Sequence, residues 1–175
     1  MGRAYGAEVP FTRPKELAGD NAPHLDVLQH ALDWFRERGE TFDLLMLLQP
    51  TSPFRSIEHL EDCVSVAKAH PGCAVKTVVR TAHPEFCRRL NKDGVLEPIL
   101  STKSQGYLRS QDFEPVYTPN GAVYLWPTDV ITSGNIDSVP TRAVEMNAMH
   151  SMDIDSMEDL EIARALVSAG VIAPC

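Results

Sequence analysis

The chain has 175 residues, 43% hydrophobic and 23% charged, which is enough for one domain with its own core. Its formal net charge of −8 excludes a general nucleic-acid-binding face, which needs positive charge to displace counterions. A local cationic pocket for a small anion stays open, with Arg13, Arg55, Arg80, Lys103 and Arg109 as candidates.

No apolar run approaches membrane-spanning length, and Met1 to Gly6 form no leader-like apolar stretch, so the expected compartment is the cytoplasm. Cys63, Cys73, Cys87 and Cys175 lack C-x-x-C spacing and read as reduced, mostly buried thiols.

Residues 5–11 are expected to end one element and run into a short strand, and 13–18 to form a loop or a single turn. Asp20-Asn21-Ala22-Pro23 carries the residue types of a helix start. Leu25, Leu28, Leu32 and Phe35 follow at helical spacing, and Gly39 is the stop. Asp26 and His30 fall four apart and are expected to form a hydrogen-bonded pair.

The run Asp43 to Leu48 has no polar alternation, the mark of a strand buried on both faces in the middle of a parallel sheet. Gln49-Pro50-Thr51-Ser52-Pro53-Phe54-Arg55 then forces a sharp exit, because proline cannot continue the ladder. Ser56 caps a second helix with Ile57, Leu60, Val64 and Ala67 on its apolar stripe, ended by His70-Pro71-Gly72. Residues 73–79 are strand-like by β-branched content. This alternation predicts an α/β fold with a mostly parallel sheet and helices on its faces.

Residues 86–90 and 95–99 flank Asn91-Lys92-Asp93-Gly94, the turn of a hairpin spanning about 85–99. Residues 100–115 are polar and irregular, a length of loop that often serves function. Asn120-Gly121-Ala122 turns into a strand, Thr128 caps a short helix ending at Gly134, and 139–146 is extended. Met152-Asp153-Ile154-Asp155 is extended and opens a last helix through a Ser156/Asp159 capping box. Leu160, Ala163, Leu166 and Val167 form that helix's buried stripe, and Gly170 closes it.

The sharpest chemical signal is Asp153-Ile154-Asp155. Alternate side chains of an extended segment point the same way, so both carboxylates face one space. Like charges held close repel unless a cation is present, and Mg²⁺ takes one or two carboxylates together with substrate phosphates. Gln49, Thr51 and Ser52 supply neutral donors and acceptors that suit a sugar, a base edge or a phosphate. Gly121 permits close backbone approach, and Asn120 can meet a hydroxyl or a carbonyl. The chain contains no P-loop, nucleophile elbow or metalloprotease helix motif.

Four segments in order carry a resemblance. They are Arg13-Pro14-x-Glu16-Leu17-Ala18; Leu47-Leu48-Gln49-Pro50-Thr51-Ser52-Pro53-Phe54-Arg55; Gln111-Asp112 through Tyr117 to Asn120-Gly121-Ala122-Val123-Tyr124; and Met152-Asp153-Ile154-Asp155-Ser156-x-Glu158-Asp159-Leu160. Together they resemble the acylneuraminate cytidylyltransferases, or CMP-sialic acid synthetases. The resemblance implies a Rossmann-like nucleotidyltransferase in a three-layer sandwich, a single domain over 1–175 with a dimerisation arm at about 127–146, and a homodimer. It implies transfer of CMP from CTP to a nonulosonic sugar acid with release of pyrophosphate.

On that reading Asp153 and Asp155 are the catalytic carboxylates and hold Mg²⁺. Arg13 lies near the nucleotide, Gln49 contacts the sugar acid with Thr51 and Ser52 beside it, and Asn120 faces the sugar or the reacting centre. Arg109, Gln111 and Gly121 join them as substrate-binding residues.

The sequence departs from the family pattern in three places. It starts after the family's first strand and Gly/Lys-rich phosphate loop, so an N-terminally truncated domain is expected. Ser110 stands where the family has an Arg before its Gln-Asp pair, and Ile136-Asp137-Ser138 stands where aromatic residues are usual. A catalytically incompetent homologue acting as a binding or oligomerisation module is the alternative, and another base or acid is a third reading.

Overall fold

The computed structural model describes residues 2–19, 21–100, 109, 111 and 113–173. The loop residues Lys103, Gln105, Gly106, Ser110 and Asp112, the capping candidate Asp20, and Cys175 lie outside the described residues.

The chain runs through α1 (His24–Arg36), β1 (Leu44–Leu48), α2 (Ile57–Ala69), β2 (Ala74–Thr81), β3 (Arg88–Leu90), β4 (Leu96–Pro98), β5 (Val116–Pro127), α3 (Thr128–Ser133), β6 (Thr141–Glu145) and α4 (Met157–Ser168). Four strands form the main sheet in the order β1-β5-β2-β6. The first, second and last in sequence (β1, β2, β6) run one way, because β2 pairs in parallel with β6, and β5 lies antiparallel to both β1 and β2. The remaining two strands, β3 and β4, make the expected hairpin, with Leu90 opposite Leu96.

Helices cover both faces. On one, Cys63 and Ala67 of α2, with Leu60 and Val64, pack on Val75, Val123, Leu125, Val144 and Met146. On the other, Leu28 of α1 and Val130 and Ile131 of α3 pack on Ala74, Trp126, Leu45 and Leu47. Each fully buried side chain of this size contributes about 1.5–3 kcal/mol, so the sheet is clamped from both sides. No helix among the described residues is long and apolar enough to cross a membrane.

Several expectations are corrected. The first strand, β1, pairs only with β5 among the described strands, so it is an edge strand rather than a central one. It is half-buried, and Leu48 is 38% exposed. Residues 5–11 form no strand; Gly2–Tyr5 is a 3₁₀ turn and the rest is irregular. Pro23 occupies the N-cap of α1 with no side-chain cap bond. Asp26 and His30 do not pair: buried His30 Nδ1 has no hydrogen-bond partner among the described residues, and its ring packs at 5.3 Å on Phe11.

Ile57 and Val167 are exposed, because each sits at an end of its helix beyond the reach of the sheet. Thr128 opens α3 without capping it; its hydroxyl instead donates to the Phe42 carbonyl at 2.6 Å. Among the described residues the thiols are free: Cys63 is buried, Cys73 half-buried and Cys87 exposed.

Candidate active site

Because β5 runs against its neighbours, its first half overlies the carboxyl ends of β1 and β2. Leu48, the last residue of β1, pairs with Val123, which leaves Asn120 and Gly121 beyond the strand's end. In open α/β sheets that edge is where ligands sit. Three loops meet there: the Gln49–Arg55 corner, the Asn120–Ala122 segment, and the stretch from Met146 to Asp155.

Gly121 is the point of convergence. Its φ is 78°, in the left-handed region that only glycine adopts at no steric cost. A Cβ placed there would stand 2.8 Å from Gln49 Oε1 and 3.8 Å from Asp153 Oδ2. A side-chain amide and a carboxylate are therefore drawn over one bare patch of backbone.

The corner before it is braced by Arg55, whose Nη1 donates to the carbonyls of Gln49 at 2.6 Å, Ser52 at 3.1 Å and Ala122 at 3.4 Å. The Ile154 N–H donates to the Thr51 carbonyl at 2.9 Å, fastening the two acidic residues to the same corner.

Gln49 also faces a cleft of about 440 Å³ together with Arg13, His24, Thr51 and Asp155. Arg13, the Gln49–Thr51 corner and Asp155, far apart in sequence, thus share one space. Asp153 is half-buried; its Oδ1 is shielded from solvent and has no hydrogen-bond partner among the described residues. Asp155 is exposed at the cleft. Ser52 is 1% exposed and turned inward, its hydroxyl without a partner among the described residues.

Asn120 is 8% exposed and engages both ends of its amide internally. Its Oδ1 accepts from Thr77 Oγ1 at 2.6 Å and from the Ala122 N–H at 3.2 Å. Its Nδ2 donates to Ser151 Oγ at 2.9 Å and contacts Met146 Sδ at 3.3 Å. An amide so engaged braces the site rather than facing open space.

Arg109 and Gln111 do not reach this cleft. They line a second one, about 670 Å³, with Arg80, His83, Phe113 and Glu114. There Phe113 stacks on His83 at 4.4 Å and meets Phe86 edge-on at 5.7 Å. The second cleft opens at Val116, five residues up β5 from Gly121, or about 15 Å at the rise of a strand. Beside it the Tyr117 hydroxyl bonds the Glu145 carboxylate, which with burial pushes the phenol above its ordinary pKa against the opposing pull of Arg80. Sequence reading missed Thr77, His83 and Phe113. The only sign of Thr77 was a threonine inside a β-branched run.

Comparison with solved structures places the fold. The chain superposes on CMP:2-keto-3-deoxy-manno-octonic acid synthetase, solved with CTP, with a TM-score of 0.63 at 16% identity, over 97% of this chain and 76% of that one. It also matches a 4-diphosphocytidyl-2C-methyl-D-erythritol synthase from Anaerococcus prevotii at TM-score 0.54 and 14% identity, over 90% and 68%. At these identities the likeness shows the fold alone, a Rossmann-like α/β sheet with helices on both faces.

No protein-family model matches the chain. Individual proteins do. A CMP-N,N'-diacetyllegionaminic acid synthase from Legionella pneumophila is 30% identical over 166 residues, covering 93% of this chain and 70% of that protein. A pseudaminic acid cytidylyltransferase from Campylobacter jejuni is 24% identical over 164 residues, covering 93% and 70%. An N-acylneuraminate cytidylyltransferase from Streptococcus agalactiae is 28% identical over 159 residues, but the chain spans only 36% of its length. The chain belongs to the acylneuraminate cytidylyltransferase family, the CMP-nonulosonic acid synthetases.

Proposed function

We propose that the protein transfers CMP from CTP to a sialic-type nonulosonic acid. The observation that carries this is the convergence of Gln49 and Asp153 on the bare backbone of Gly121, beside a cleft that also holds Arg13, Thr51 and Asp155. The anomeric hydroxyl oxygen of the acid forms a bond to the α-phosphorus, the bond to the bridging oxygen breaks, pyrophosphate leaves, and the hydroxyl proton is released. Such a transfer asks for positioning and charge neutralisation more than for covalent help from the protein.

In this reading Arg13 meets the nucleotide. Gln49 and Thr51 orient the acceptor, and Gly121 lets it approach the chain closely. Ser52 and Asn120 hold the walls from behind. Arg80, Arg109 and Gln111 offer the second cleft to polar and anionic groups of the sugar acid.

Magnesium fits the residues present. A shielded carboxylate oxygen without a hydrogen bond is costly unless a cation meets it, and Asp153 Oδ1 is such an atom. Among the described residues no group of three or more His, Cys, Asp or Glu gathers, so the protein's share of the ligands is two carboxylates, Asp153 and Asp155. That share suits an ion which completes its shell with phosphate oxygens. When bound, the ion would neutralise charge on the triphosphate.

A homo-oligomer and a cytoplasmic working place, where CTP is made, complete the proposal. Support for the oligomer is the hairpin, which exposes Leu90 by 65% and Leu96 by 64% on a two-stranded ribbon too small to cover them.

The test is pyrophosphate release by the purified full-length protein with CTP and Mg²⁺, offered N-acetylneuraminic, legionaminic and pseudaminic acids in parallel. Release with at least one acid, and none with CTP alone, is the expected result. Absence of release with all three refutes the proposal.

A further inference from the structure

The ladder between β2 and β5 is broken beside the site. Between the pairs Lys76–Tyr124 and Val78–Pro119 the chain takes two steps along β2 and five along β5. The residues between those pairs on β5, Asn120 to Val123, lie opposite a single β2 residue, Thr77, and include left-handed Gly121. Bulges re-aim side chains near active sites but leave ladder groups without partners.

The Thr77 side chain takes their place. It is 0% exposed. Its Oγ1 accepts the Val123 N–H at 2.9 Å and donates to Asn120 Oδ1 at 2.6 Å, with the Val123 carbonyl a longer 3.3 Å away. A threonine hydroxyl has one proton, and the shorter contact takes it. The Asn120 carbonyl end therefore faces Thr77, and its NH₂ end must face Ser151, to which it donates at 2.9 Å. Ser151 in turn donates to the Asn147 carbonyl at 2.7 Å. Asp153 stands two residues on, held at its far side by the bond from the Ile154 N–H to the Thr51 carbonyl.

We infer that Thr77 is a positioning residue for the reacting site. Its hydroxyl fixes the orientation of the Asn120 amide, and that amide fixes Ser151 and the placement of Asp153 against Gly121 and Gln49. The ligand assigned to Asp153 rests on the proposed function; the hydroxyl-to-amide relay does not.

The experiment compares full-length wild-type protein with Thr77→Ser, Thr77→Val, Ser151→Ala and Asp153→Asn. Mn²⁺ binding in the presence of CTP is followed by the electron-spin signal of the free ion. Valine keeps the shape of threonine and removes the hydroxyl; serine keeps the hydroxyl. Wild type and Thr77→Ser bind alike. Thr77→Val and Ser151→Ala bind about tenfold more weakly, the scale of one lost buried hydrogen bond, and Asp153→Asn abolishes binding. Ser151→Ala removes no core packing and decides the matter if Thr77→Val does not fold. A folded Thr77→Val or Ser151→Ala variant that binds as tightly as wild type overturns the inference.

If wild type binds no Mn²⁺, or Asp153→Asn matches it, the functional reading has failed. The Thr77 relay is then decided by the Asn120 side-chain amide in a ¹H–¹⁵N spectrum. Slow exchange in wild type and Thr77→Ser with fast exchange on losing the hydroxyl or its Ser151 partner supports the inference, and equal exchange in all of them overturns it.

Discussion

Gly121 is the residue on which the site turns. Its φ of 78° and the 2.8 Å gap to Gln49 Oε1 both forbid a side chain there. Gly121→Ala is expected to lower stability by about 1–3 kcal/mol through backbone strain alone and to push the Gln49 amide away. A denaturant midpoint measures the first effect, and a weaker KM for the acid measures the second.

At this scale the sequence was informative where a residue type is tied to its chemistry. Asp153, Gln49 and Gly121 were named from type and spacing, and the structure brings them together. The inward turn of Ser52 and the internal bonding of Asn120 were not legible. The bonding of Asn120 follows from a bulge between β2 and β5, strands far apart in sequence, and no local pattern encodes it.

Elements were read best where their ends carry caps. The Ser156/Asp159 box forms as expected: the Ser156 hydroxyl and its N–H both donate to Asp159 Oδ2, and together they hold that carboxyl below its ordinary pKa. The cap's contribution is complete above the unfolded pKa near 4 and is lost as pH falls through the lower folded value.

The second helix, α2, adds a less familiar version in which His59 stands at the third helical position. Its Nδ1 accepts the Ser56 N–H at 2.9 Å, so the ring must be neutral. Burial first, and then the His150 ring 5.1 Å away, lower its pKa below 6.5; Asp62 and Glu58 oppose the shift without reversing it. The unfolded chain therefore takes the proton first as pH falls. Stability from this cap is complete above 6.5 and declines as pH drops through the folded pKa. Glutamine supplies the same cap without titrating. Thermal melting from pH 7.5 to 5 is expected to fall more steeply for wild type than for His59→Gln, and parallel curves would contradict this account.

The place of β1 at the sheet edge was not legible for a plain reason. An unbroken Leu44-Leu45-Met46-Leu47-Leu48 run reads the same whether one neighbour or two pair with it.

The whole molecule explains why residues 13, 49, 121 and 155 meet at all. Inserting β5 antiparallel between β1 and β2 carries Asn120 and Gly121 just past the carboxyl end of β1 and opposite Thr77 of β2, and the chain leaving β6 brings the two aspartates to the same edge. Alternation of strands and helices predicted the layers and the mostly parallel sheet, but it could not single out the one reversed strand. The surface matches the hairpin proposal, with apolar Leu90 and Leu96 standing on a chain of net charge −8. Sedimentation at micromolar concentration is expected to show an oligomer, and Leu90→Lys with Leu96→Lys to shift it toward monomer. A wild-type monomer would refute that association.

The central claim of the proposed function is that Asp153, drawn against Gly121 and Gln49, would hold the cation that offsets charge on the triphosphate. Its most direct test is the rate of CMP-sugar formation by full-length Asp153→Asn protein whose circular dichroism matches wild type. Loss of one such electrostatic group predicts a fall in kcat of about 100-fold or more, and a rate within twofold of wild type would contradict the account.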